Sequence, residues 1–97
     1  MLFFALFKVY GHSMMPTISP GQRVAVSGIP YLFSKPKKGD IVLIKDLQSN
    51  AYFIKRIAYI HANTYTVLGD NPYDSKDSRQ FGRIHYSAIV GKVLFYF

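Results

Sequence analysis

Apolar and polar positions alternate along most of this chain, and the alternation is broken at short intervals. Leu6 to Tyr10, Gln22 to Ser27, Asp40 to Lys45, Ala51 to His61, Thr64 to Leu68 and Ile89 to Phe97 read as strands. Turn signals separate them at Pro20-Gly21, Gly28 to Pro30, Pro36 to Gly39, Ser49-Asn50, Ala62-Asn63, Gly69 to Pro72 and Gly82. Pro72 to Gly82 is polar and reads as a loop holding one helical turn. Short strands so punctuated predict a mostly β fold, a single small coiled antiparallel sheet or barrel-like core.

Composition sharpens this picture. The chain has 97 residues, the length of one domain spanning 1–97 with no second β domain. Eight Tyr, eight Phe and no Glu favour strands over helices. The formal charge of +7 fits a solvated basic surface or peripheral contact with an anionic membrane. No basic helix is present, so no nucleic-acid partner is expected. The absence of Cys excludes a disulfide framework and a thiolate metal site, and the three His are poorly spaced as ligands. Neither metal nor other cofactor is therefore expected. The apolar start, Met1 to Phe7, is far short of the ~20 residues that span a bilayer. It reads as a first strand, the stub of an anchor or an interfacial toe.

Three polar stretches carry the candidate chemistry. Ser13 follows Gly11, which permits unusual backbone angles, and precedes Pro16, which stiffens the turn. His12 is the obvious base for it, but on an extended backbone adjacent side chains point to opposite faces. Lys55 lies in a strand between Phe53 and Ile57 on one face. A charged ammonium takes no proton, but desolvation favours the neutral amine. The alternative is a lysine that reaches water from an edge strand. The third stretch, Gly69 to Arg79, is a turn followed by a loop rich in Ser and Asp. Ser75 can accept a hydrogen bond from an amine without recharging it, and Arg79 is the natural partner for Asp77.

The boxes Gly-His-Ser13-Met-Met-Pro-Thr, Ile-Lys55-Arg56-Ile and Leu-Gly-Asp-Asn with Ser75-Lys-Asp77-Ser-Arg79-Gln-Phe-Gly82, together with Gly39-Asp40-Ile-Val, resemble the type I signal peptidase (leader peptidase) family in identity and order. The resemblance covers about Val9 to Val93. It implies the β-rich catalytic core of that family and a serine endopeptidase with a Ser-Lys dyad. Ser13 would be the nucleophile and Lys55 the general base. Ser75 would orient Lys55, with Asp77 and Arg79 bracing the loop. Gly11, Met14 and Pro16 would form the substrate and oxyanion side. The substrate would be a precursor polypeptide bound as an extended strand and cut after small residues, Ala-x-Ala in type.

Two features depart from the familiar members. No membrane span precedes the serine box, and only Ile57 to Leu68 separates the lysine strand from the Gly-Asp-Asn box. A related short group trims nickel superoxide dismutase precursors, so a dedicated maturation protease is an alternative expectation. The site would then be cytoplasmic, whereas an export peptidase would work at the membrane surface, facing away from the cytoplasm. A self-cleaving repressor and a non-catalytic peptide-binding β module are the remaining readings. The first would need a DNA-binding domain ahead of Ser13.

Overall fold

All six foreseen strands form in the computed structural model, which describes residues 4–46, 48–73 and 77–97. They are β1 (Ala5–Lys8), β2 (Arg23–Ser27), β3 (Ile41–Lys45), β4 (Tyr52–His61), β5 (Thr64–Leu68) and, at the end of the chain, β7 (Ile89–Tyr96). A two-residue strand, β6 (Ile84–His85), precedes β7. Two single-turn helices, α1 (Pro30–Phe33) and α2 (Ser78–Phe81), lie in the connections, and Tyr86–Ala88 forms a 3-10 turn.

The strands make one antiparallel sheet in the order β1-β2-β7-β3-β4-β5-β6. Irregularities at Ala25/Val26, Leu43/Ile44 and Ile57/Tyr59 interrupt the ladders. Such bulges bend a strand and increase its twist, and this sheet curls into a half-barrel.

Alternation on β3 explains the two-sided core. Leu43 packs on one face with Met14, Ile18, Val24, Val26 and Val93. Val42 and Ile44 pack on the other with Ile57, Tyr65 and Val67. β3 therefore lies between two apolar layers, consistent with its unbroken Ile-Val-Leu-Ile run.

The sequence reading differs from the structure in places with clear physical causes. β1 ends at Lys8, although Val9 N still donates to Gln22 O at 2.8 Å and Val9 O accepts from Gly21 N at 2.9 Å; Tyr10 lies beyond the strand. α1 stands where turn signals predicted only a loop. Pro30 suits the first helical position, and the Tyr31 hydroxyl donates to Asp40 Oδ2 at 2.7 Å. β6 is too short to show a period of its own. The helical turn foreseen between Pro72 and Gly82 is α2. Among the described residues, no helix is long and apolar enough to cross a membrane.

One topological detail shapes everything that follows. β4 pairs with β3 from Tyr52 to Arg56, and with β5 only from Arg56 onward. Among the described residues, the Tyr52–Lys55 stretch is thus laddered on one side alone. β1, at the end of the sheet, faces it closely enough for the Phe7 and Tyr52 rings to lie 6.2 Å apart.

Candidate active site

The serine segment is a compact turn pinned by its apolar residues. Gly11 adopts φ +79°, a left-handed conformation that favours glycine, and the Met15–Pro16 bond is cis. Met15 N donates to His12 O at 3.1 Å, and Ile18 N to Met14 O at 2.9 Å. Met14 and Ile18 are buried in the core, which leaves Ser13 half-buried above them. His12 is exposed. The alternation argument against His12 does not apply, because the backbone here is turn rather than strand.

Lys55 is 2% exposed and among the largest fully buried side chains of the protein. It lies opposite Val42 and shares a face with Phe53 and Ile57, and its Nζ is 5.9 Å from the centre of the Phe53 ring. Burial at this level rules out the reading in which the side chain reaches water. It also disfavours the ammonium form.

Asp70 joins the three boxes. Its Oδ2 accepts from the Thr17 hydroxyl at 2.5 Å and from Arg56 Nη2 at 2.8 Å, while Oδ1 accepts from Arg56 Nε at 2.9 Å. Arg56 Nη1 also donates to Gly39 O at 3.0 Å. Next to Asp70, Asn71 N donates to Ser13 O at 2.9 Å and Asn71 Nδ2 to His12 O at 3.0 Å. The serine turn, the lysine strand and the Gly-Asp-Asn turn are thereby held as one unit. Hydrogen bonds from Arg56, and secondarily from Thr17, hold the Asp70 carboxyl below the usual carboxylate range, against the opposing effect of burial. The same contact raises the Arg56 guanidinium.

The expected Asp77–Arg79 brace is present. Asp77 is fully buried and receives Arg79 Nε at 3.0 Å, Arg79 Nη2 at 2.7 Å and Gly69 N at 2.8 Å. It also caps α2 by accepting from Arg79 N at 3.0 Å. Hydrogen bonding to Asp77 raises the Arg79 guanidinium. Ser75, the expected orienting hydroxyl, lies outside the described residues.

A cleft of about 150 Å³ opens beside the serine, lined by Phe7, Tyr10, Ser13, Met14, Tyr52 and Ile54 among others. Gly11 and Pro16 are exposed in the turn and do not line it. Phe53 and Ile54, which do, immediately precede Lys55. The structure thus brings the serine turn against the strand that carries Lys55. Thr17, Arg56, Asp70 and Asn71 escaped the sequence reading as functional positions. Their signal was available: the chain has only five acids, and Asp70 sits inside one of the recognised boxes.

Comparison with known proteins places these residues in a wider context. The chain matches the family described as signal peptidase, peptidase S26, over residues 1–60 and 58–97. It is similar to the mitochondrial ATP-independent inner membrane protease subunit 1b of Arabidopsis thaliana, with 31% identity over 109 positions, covering 88% of this chain and 64% of the relative. It is also similar to signal peptidase IB of Staphylococcus aureus, with 28% identity over 146 positions, covering 94% of this chain and 76% of the relative. Both alignments have more positions than this chain has residues, so both relatives carry inserted sequence.

Proposed function

The chain belongs to the signal peptidase family, peptidase S26, and from that premise we propose that it is a serine endopeptidase that removes leader peptides after small residues, with Ser13 as nucleophile and Lys55 as general base. The observation that carries this reading is a lysine withdrawn from water on the strand that lines the serine's cleft. Lysine is a poor base while charged, and burial is the means by which a protein keeps it neutral.

The precursor peptide adds as a strand along Tyr52–Lys55, the stretch of β4 with one unladdered side, opposite Phe7. The cleft's volume of about 150 Å³ suits side chains the size of alanine. In the substrate complex the serine hydroxyl donates to the amine. Neutral Lys55 takes the proton as Ser13 Oγ bonds to the scissile carbonyl carbon. The Ser13 backbone N–H donates to the resulting oxyanion. The C–N bond then breaks, and the Lys55 ammonium returns its proton to the leaving amine. Water, deprotonated by the same amine, hydrolyses the ester and restores the hydroxyl.

The same proposal sets this reaction at a membrane surface. The outer face of β1, β2 and β7 exposes Phe4, Leu6 and Phe95, with Lys8 and Arg23 on the same face. Aromatic and cationic groups so combined favour an anionic interface. Cleavage of an Ala-x-Ala peptide by the parent, Ser13→Ala and Lys55→Ala proteins tests the chemistry. Cleavage confined to the parent is expected. Equal rates in all three would remove both residues from the mechanism.

A further inference from the structure

A cavity of about 390 Å³, distinct from the serine's cleft, lies on the other face of the sheet. Ile44, Phe53, Phe81, Ile84 and Ala88 give it an apolar lining, with His85 and Asp46 among its polar positions. Phe53 lines this cavity and the serine's cleft alike. The two hollows are therefore neighbours across β4, at the stretch whose outer edge carries no ladder among the described residues.

An added strand has side chains that alternate between the faces of the sheet it joins. A residue lying opposite Ile54 turns its side chain to the face of Met14 and Leu43, where the serine's cleft is. Its neighbour, lying opposite Phe53, turns to the face of Ile44 and Ile57, where the larger cavity is. Resting on the peptidase reading above, we infer that this cavity is a second specificity pocket, one that takes a large apolar side chain at the residue between the two small ones. The volumes differ in the right sense, about 150 Å³ for the small side chains and about 390 Å³ for the middle one. The enzyme then selects for small-large-small, with Phe53 as the wall between the pockets and Phe81 and Ile84 as the floor of the larger one.

The test is a set of otherwise identical peptides, Ala-Leu-Ala, Ala-Phe-Ala, Ala-Ser-Ala and Ala-Asp-Ala, cleaved by the full chain and by the Phe81→Ala protein. In the parent, kcat/KM for Leu or Phe in the middle should exceed that for Ser by about tenfold, and that for Asp by more. In Phe81→Ala the Leu-to-Ser ratio should fall toward one. A ratio does not depend on how much of the variant is folded. Cleavage of all four peptides at one rate would overturn the second pocket and leave the peptidase standing. A strong preference that survives Phe81→Ala would place its origin elsewhere and overturn the pocket too. Failure of the parent to cut any of the four would remove the peptidase reading and this inference together.

Discussion

Replacing Asp70 by alanine removes the acceptor that ties the serine turn to the lysine strand. Three hydrogen bonds are lost, one from Thr17 and two from Arg56. The Arg56 side chain is 36% exposed and can be rehydrated, whereas the Asp70 side chain is only 16% exposed. Surface discounting leaves about 0.5–1 kcal/mol for the ion pair. The Thr17 bond, to a charged and largely buried acceptor, adds about 1.5–2 kcal/mol. The expected loss of stability at pH 7 is therefore about 2–3 kcal/mol. A group whose folded pKa is depressed contributes its stability above the ordinary carboxylate range, and that contribution disappears as pH falls through the lowered value. Urea unfolding of the parent and of Asp70→Ala, followed from pH 7 to pH 2.5, should show a gap that is constant down to about pH 4 and then narrows. Peptide cleavage should fall by about a hundredfold, because a serine displaced by roughly 1 Å is badly aligned for attack. A gap below about 0.5 kcal/mol at pH 7, or one of unchanged size at pH 2.5, would refute this account of the clamp.

Further outcomes follow from other positions. Lys55→Met keeps the volume and loses the amine, so cleavage should drop to background while urea unfolding stays within about 1–1.5 kcal/mol of the parent; retained cleavage would contradict the role given to the amine. In Gly91→Ala the new Cβ would stand 2.8 Å from Ser27 O and 2.9 Å from Val26 Cγ1. The backbone of β2 cannot yield there, and denaturation should show a loss of about 1–3 kcal/mol. Ala62 holds φ +54° in the β4–β5 hairpin, a conformation costly for alanine. Ala62→Gly should raise stability by about 0.5 kcal/mol, read as an increase in Tm of about 3 °C; a lower Tm would show that the turn is not strained.

The strand pattern was legible because period-two alternation and glycine or proline punctuation agreed at nearly every position. β4 shows this best: Phe53, Lys55 and Ile57 share a face in sequence and in structure. α1 and β6 were hidden because elements of four and two residues carry no period, and their stability comes from contacts such as Tyr31 with Asp40 and Tyr65 with Ile84. The Asp77–Arg79 brace was readable because its partners are two residues apart. The Thr17–Asp70–Arg56 clamp was not, since Thr17 and Asp70 are separated by 53 positions and meet only when the sheet curls. The two-pocket arrangement was equally hidden. It depends on where β4 changes partners, which is a property of the ladder and not of any residue.

The central claim is that Lys55 is an uncharged amine at the pH where the enzyme works. Nitrogen NMR of the lysine side chains across pH 6 to 9, read beside the pH dependence of kcat/KM, addresses it directly. The account predicts one lysine, absent from the Lys55→Met spectrum, that loses its proton within that range and whose deprotonation coincides with the rise in cleavage. A Lys55 signal that remains that of an ammonium through pH 9 while cleavage proceeds would contradict it.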